Sequence, residues 1–522
     1  MSVDNLSDHE ALVQALMDPQ HWPEGGPDRR RIDTHISSVI LAGEHAFKIK
    51  KPIDLGFLDF LSLESRQHWC KEELRLNRRT APQIYQSVRA ITGSIEHPQL
   101  DGAGEVIDWA VQMRRFDPDA LLATQPQLLT REIVLQLAEA IADFHAAAAI
   151  VSDPQLGRPA AVFAPMQENF RQLRGLGEGS EQLDRLEHWT TQTLERHRSL
   201  LEQRRDEGHV RECHGDLHLG NIALIDGAPV IFDAIEFNPG LRWIDTINDL
   251  AFLSMDLRER GHAHHVHLLL DRYLQISGDY PGLALLRFYE VYRALVRAKV
   301  AAIRLAQPQL DAQEKSAARE ELHAYLQLAE DLARERKGAV VITHGLSGSG
   351  KSYITRNLPA ELPAIRLRSD VERKRLLDIP AQQSAVEQDG YSADITERTY
   401  QRLTQLAEVV AGNGHVAVVD ATFLKARHRR QIRAMAANLD VPCVILDCRA
   451  PDATLEQRIA QRHLQSDNVS DADVQVLRAQ QQSQEPLSEE ERAQAIVVSP
   501  QQPLDVRHLQ QMLAVDSAYS AG

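Results

Sequence analysis

HGDLHLGNIAL, residues His214–Leu224, followed by VIFDAIEFN, Val230–Asn238, decides how the first half of this chain is read. Asp216 and Asn221 stand five residues apart in a glycine-containing segment of tight-loop character, and Asp233 closes a short apolar run of strand type. Two carboxylates and an amide in this order suit phosphoryl transfer. Asp216 can orient an acceptor hydroxyl or take its proton, while Asn221 and Asp233 can hold Mg2+ on nucleotide phosphates. His214 reads as a packing residue that fixes the loop.

A second stretch decides the other half. GLSGSGKS, Gly345–Ser352, satisfies G-x-x-x-x-G-K-[ST] at every constrained position, follows the apolar run beginning at Ala339 and opens a helical pattern. Gly345, Gly348, Ser349 and Gly350 let the backbone wrap phosphate oxygens at a helix N-terminus. Lys351 reaches the β/γ-phosphates and Ser352 ligates Mg2+. Asp370, at the end of the next strand pattern, can contact an acceptor hydroxyl, and Arg373 can hold an anionic group on that acceptor. VAVVD puts Asp420 at another strand end, as a metal-binding carboxylate. Thr422 and the basic run Lys425, Arg427, Arg429, Arg430 and Arg433 follow. Arg458 and Arg462, four apart on a helix, can close over the transferring phosphoryl.

Outward from these two stretches, the chain divides near residue 337. DAQEKSAAREELHAYLQLAEDLARER, 311–336, reads as one helix stopped by Lys337-Gly338, and a strand pattern starts at Ala339. Upstream, SSVILAG, AFKIKKPI and VIDWAVQMRRF are strand-like within a small lobe at about 30–115, and a largely helical large lobe runs from about 130 to 337. Downstream, strands at 339–343, 364–368, 415–420 and 442–447 alternate with helices at 351–358, 395–411 and 427–437, which predicts a parallel sheet. The expectation is an α+β bilobal domain over 1–337 followed by an α/β domain over 338–522.

Composition bounds the rest. The 522 residues are 43% hydrophobic and 25% charged, the profile of a globular protein, with a net charge of −16. No run nears the ~18 apolar residues of a membrane span. The N-terminus is acidic and has no signal-peptide core, and the four cysteines are scattered, so a reducing cytoplasm is expected. The acidity disfavours nucleic-acid partners. The clustered histidines 262, 264, 265 and 267 read as a solvated helix end. Oligomeric state is not legible.

Both motif sets carry family resemblances. H-G-D-x-H-x-x-N with the downstream Asp233, and then Asp249-Leu-Ala, resembles the aminoglycoside phosphotransferase family, which has a protein-kinase-like fold. The resemblance implies that Asp249 braces the catalytic loop. There is no glycine-rich G-x-G-x-x-G loop. Ala46-Phe47-Lys48 resembles the A-[IV]-K of kinase strand three, making Lys48 the candidate for the α/β-phosphates, with Lys50 on the same strand face as the alternative. Lysine is scarce here, ten among 58 basic residues, which singles out this K-x-K-K cluster. The partner carboxylate is expected at Glu73, with Glu72 as the alternative. GLSGSGKS, RSDVERK, VVDATF, the arginine-bearing helix, Ser470-Asp471-Ala472, Gln480 and Glu485-Pro486 resemble P-loop small-substrate kinases similar to gluconate kinases, zeta toxins and the kinase domain of polynucleotide kinases. The fusion resembles bacterial proteins described as bifunctional. It implies an ATP- and Mg2+-dependent phosphotransferase with two sites and a small-molecule hydroxyl acceptor at each. The alternatives are a nucleic-acid 5′-hydroxyl kinase, favoured by the basic run, and a nucleotide-sensing regulator with one inactive site.

Overall fold

The computed structural model describes residues 3–20, 28–56, 58–177, 180–308, 310–379, 392–462 and 474–514. They form two compact units, one of residues 1–256 and 288–329, the other of 257–287 and 330–522.

The first unit is built on an antiparallel sheet of β1 (Arg29–Asp33), β2 (Ser37–Ala42), β3 (His45–Lys50), β4 (Tyr85–Gly93), β5 (Pro98–Leu100) and β6 (Val106–Arg114) in the order β1-β2-β3-β6-β4-β5. The three apolar segments expected as strands are β2, β3 and β6. β1, RRRID, escapes the hydrophobic pattern because it is a largely exposed edge strand, where charge blocks further pairing. β4 escapes because a register shift between Tyr85 and Ser87 breaks its alternation.

The helix Leu63–Asn77, capped by Ser62, lies against this sheet and buries Arg66, Cys70, Glu73, Leu76 and Asn77. Those positions recur at helical spacing, so Glu73 enters the interior on the same stripe as Cys70, and Arg66 is neutralised there by Asp108 at 2.7 Å. Helices Arg131–Ala147, Pro159–Gly175 and Ser180–Asp206 follow. Two short hairpin-like pairs come next, β7 (Val210–Glu212) with the later β10 (Trp243–Asp245), and β8 (Ile222–Ile225) with β9 (Ala228–Ile231). These pairs hold the loop 213–221 and the segment 232–238.

The N-terminal helix Leu6–Leu16 buries His9, whose Nε2 lies 3.0 Å from Ser38 Oγ. Burial, with Lys51, Arg31 and Arg66 nearby, lowers the His9 pKa to about 4. The unfolded chain therefore binds a proton near pH 6.5 that the folded unit refuses until about pH 4, so stability falls as pH drops through that window. His9→Gln should shrink the loss of urea midpoint between pH 7 and pH 5 relative to the parent protein.

The second unit has a fully parallel sheet of β11 (Ala339–His344), β12 (Ala364–Arg368), β13 (Val416–Asp420), β14 (Cys443–Cys448) and β15 (Ala495–Val498), in the order β12-β13-β11-β14-β15. Val340, Val341, Ile342 and Val416–Val419 are all buried, as a sheet covered on both faces requires. β11 sits where the strand order reverses, so the loop after it opens into the crevice at the strand C-termini. The four strands read from the sequence occur within a residue of expectation. β15 and the helix Val506–Leu513 complete the core. The helix Ala263–Ser277 packs on the edge strand β12.

Candidate active sites

In the first unit, β3 carries Lys48 and Lys50 on one face, and Glu73 meets both. Lys48 Nζ is 2.9 Å from Glu73 and 2.6 Å from Asp233. Lys50 Nζ is 2.7 Å from Glu73, also pairs with Glu236, and lies 4.9 Å from the centre of the Phe60 ring. Burial opposes the charge on Lys48, yet Asp233, Glu73 and Glu236 hold its pKa well above the usual lysine value. Burial would raise Glu73, but the two lysines hold its carboxyl below the ordinary range. Glu72 faces away and pairs with Arg75 at 2.8 Å.

The Asp233 carboxylate is 41% exposed whereas the Lys50 and Glu236 side chains are almost wholly enclosed, so Lys48 is the lysine beside the accessible carboxylate. Asp233 adopts a left-handed φ of 63°, and the turn is held by two bonds: its N–H donates to Tyr85 Oη at 3.2 Å, and the Ala234 N–H donates to Asn77 Oδ1 at 2.8 Å.

The loop 214–221 is fixed by buried partners. Asp249 accepts the N–H groups of His214 (3.0 Å) and Gly215 (2.8 Å), which is the brace expected of it. Gly215 has φ 87°, and a Cβ there would lie 2.8 Å from the Leu241 carbonyl oxygen, so glycine is required. His214 Nε2 donates to the Phe232 carbonyl at 2.9 Å and His214 Nδ1 accepts from the Asp216 N–H, so its ring is structural. Asn221 Nδ2 donates to Asp216 Oδ2 and to the Asp216 carbonyl, each at 3.0 Å, leaving the Asn221 amide oxygen for other work. Burial would raise the Asp216 carboxyl, but His218 at 3.3 Å, with His214 and Arg293 nearby, holds it well below the usual range. His145, Cys213 and Asp249 also converge. Asp249 is saturated by two amides and His145, and burial pushes the Cys213 thiol up, so this trio braces the fold.

In the second unit, Gly345 takes φ 138°, and a Cβ there would stand 2.3 Å from the Cys448 carbonyl oxygen; the loop packs directly against β14. Lys351 Nζ donates to the carbonyls of Gly345 (3.0 Å) and Leu346 (2.8 Å). A cavity of about 320 Å3 joins Gly348, Gly350, Lys351 and Ser352 to Asp370, Arg373, Asp420 and Thr422. Arg373 Nη1 bonds Asp370 Oδ1 at 2.9 Å, and Asp420 accepts from Thr355 Oγ1 at 3.3 Å. Arg458 lines a different cavity, about 540 Å3, with Ser349, Gly350, Tyr353 and Pro500, and donates to the Gly348 carbonyl at 3.2 Å. Arg462 ends its helix and its side chain lies outside the described residues, as do Ser470, Asp471 and Ala472.

Sequence reasoning did not find Glu236, Asn77, Tyr400 or His428. Tyr400 and His428 stack at 3.9 Å on the wall of the smaller cavity. Most of the basic run is consumed by neighbours: Arg429 is buried against Glu491 at 2.9 Å, Arg427 pairs with Glu397 and Lys425 with Glu485.

A lysine–glutamate pair beside an Asp-Asn-Asp set, and a phosphate loop at the switch point of a parallel sheet, define an ATP-dependent phosphotransferase acting on a small molecule. Residues 70–289 match the phosphotransferase enzyme family and residues 340–487 match an AAA domain. An uncharacterized protein of Mycobacterium tuberculosis is 31% identical over 440 residues, covering 82% of this chain and 85% of the relative. Two solved structures are also similar. A choline/ethanolamine kinase family protein from Mesorhizobium loti overlays with a TM-score of 0.36 at 14% identity, covering 62% of this chain and 99% of that one. A gluconokinase from Sinorhizobium meliloti overlays with a TM-score of 0.24 at 18% identity, covering 36% and 94%. The chain belongs to the family of the mycobacterial protein and carries a phosphotransferase-family domain ahead of a P-loop domain. Among the described residues, no helix is long and apolar enough to cross a membrane.

Proposed function

We propose that this chain holds two working phosphotransferase sites, one in each part, divided near residue 337 and operating in the cytoplasm. Each transfers the γ-phosphate of ATP to a hydroxyl of a small molecule. The observation that carries the reading is that both constellations are complete in their own unit: Lys48, Glu73, Asp216, Asn221 and Asp233 in one, and Lys351, Ser352, Asp370 and Asp420 around one cavity in the other.

In the first site Lys48, oriented by Glu73, takes the α/β-phosphates, exchanging Asp233 for phosphate oxygens. Asn221 and Asp233 offer hard oxygen donors suited to Mg2+, as do Ser352 and Asp420 in the second. Bound there, the ion would neutralise phosphate charge. The acceptor oxygen bonds to the γ-phosphorus as the bond to the β,γ-bridging oxygen breaks. ADP leaves and the acceptor proton passes to Asp216, or to Asp370 in the second site. Arg373 beside Asp370 favours an acceptor with an anionic group, whereas Arg458 lines the other cavity beside the loop.

The pairing of the basic run with carboxylates removes the main support for a nucleic-acid acceptor. The test is a metabolite extract incubated with γ-labelled ATP and the protein, Asp216→Asn or Lys351→Ala. Two labelled products are expected, one lost with each variant. A single product, or two products lost together, defeats the two-site reading.

A further inference from the structure

We propose that Gln480 is a catalytic residue of the P-loop site, donating its side-chain N–H groups to the phosphoryl group in flight; the inference rests on that site being a kinase. Gln480 stands on the helix Val474–Ser483, remote in sequence from the loop it touches. The backbone N–H of Ser347, inside the phosphate loop, donates to Gln480 Oε1 at 2.9 Å. An N–H can only donate, so the amide oxygen must face the loop and the NH2 must face away from it. Gln480 is half-buried and lines the 320 Å3 cavity together with Lys351, Asp370 and Asp420. Its Nε2 has no partner among the described residues.

The chemistry of the cavity gives this orientation a use. Phosphoryl transfer spreads negative charge over three equatorial oxygens, and its catalysis is mainly positioning and electrostatic stabilisation. The cavity wall carries Asp370 and Asp420 beside the cations Lys351, Arg368, Arg373 and Lys425; Arg373 is paired with Asp370 and Lys425 with Glu485, which leaves room for a further donor to those oxygens. A neutral donor pinned by the phosphate loop itself can stabilise the transferring group without moving during the reaction. Preorganised donors of this kind are worth about 10²–10³ in turnover.

Gln480→Glu tests this because it is nearly isosteric. One carboxylate oxygen still accepts from Ser347, while the other replaces the donor with an anion. The measurement is phosphate release from γ-labelled ATP with Mg2+ and no added acceptor, taken as the part of the rate that Lys351→Ala abolishes. ATP affinity and Tm are measured beside it. Gln480→Glu should cut that rate by about 10²–10³-fold, with ATP affinity changed less than about threefold and Tm preserved. A rate within threefold of the parent overturns the proposal, as does a rate loss matched by an equal loss of ATP affinity. Should Gln480→Glu lower Tm, Gln480→Ala decides: a loss of tenfold or more supports the role, and an unchanged rate ends it. If no part of the rate depends on Lys351, the same comparison is made on the labelled extract product that Lys351→Ala removes, and absence of that product too shows the P-loop site inactive, so that both readings fail. A Lys351-dependent rate indifferent to residue 480 removes only the role of Gln480.

Discussion

Asp216→Asn should lower turnover at the first site by about 10²–10⁴-fold while leaving ATP affinity nearly unchanged. The side chain keeps its shape, Asp249 still holds the backbone of His214 and Gly215, and Asn221 Nδ2 can still donate to the amide oxygen at residue 216. What is lost is the group that orients and finally accepts the acceptor proton. Asp216 is held well below the ordinary carboxylate range, which makes it a weak base. That is no obstacle in a loose phosphoryl-transfer transition state, where the hydroxyl proton departs late and alignment of the attacking oxygen matters more than basicity. Asn221 Nδ2 and the His218 ring both address Asp216 Oδ2, so the amide oxygen of Asn takes that place and its NH2 replaces Oδ1, the oxygen left to receive the acceptor proton. The loss should therefore appear in kcat, read on the product that Asp216→Asn removes from the extract. A fall of less than tenfold would show that Asp216 is not the acceptor-facing residue.

The residues legible in the sequence are those whose chemistry demands neighbours in the chain. A phosphate loop must present consecutive N–H groups, and a catalytic loop must turn within a few residues, so GLSGSGKS and HGDLHLGN stand out alone. The parallel sheet was legible because strands buried on both faces leave continuous apolar runs. Partners supplied from afar leave no such trace. Glu236 reaches Lys50 across 186 positions and Asp271 reaches Arg366 across 95. Glu73 against Glu72 was decidable in principle: Cys70, Glu73 and Asn77 share a helical stripe, and Glu72 lies a full 100° from Glu73 around the axis. The arginine pair on the helix Asp452–Arg462 shows the limit of such periodicity. It puts Arg458 on a face but does not say which side of the phosphate loop that face meets.

Asp271→Ala should destabilise the second unit by about 3–5 kcal/mol, the usual cost of stripping one partner from a buried ion pair. Asp271 is buried on the helix Ala263–Ser277 and accepts the Arg366 backbone N–H at 2.7 Å, the guanidinium at 2.6 and 3.0 Å, and Gln275 Nε2 at 2.8 Å. Arg366 lies on β12, the edge of the sheet, so this one carboxylate satisfies both an edge amide and a mostly buried cation. For a unit of this size each kcal/mol moves Tm by about 2–4 °C, so the transition of the second unit should fall by roughly 6–20 °C in calorimetry. Replacing both partners, Asp271→Leu with Arg366→Met, should recover part of the loss, because it removes the uncompensated charge but leaves the backbone N–H of residue 366 without its acceptor. Function should follow stability here. β12 ends at Arg368 and leads directly to Asp370, so loosening its outer edge should weaken the Lys351-dependent reaction before the Asp216-dependent one. A fragment beginning at residue 338 lacks Asp271 and the whole helix that carries it, and should be less stable still. If Asp271→Ala leaves both Tm and the Lys351-dependent rate unchanged, the helix Ala263–Ser277 is not part of what holds the P-loop site in shape.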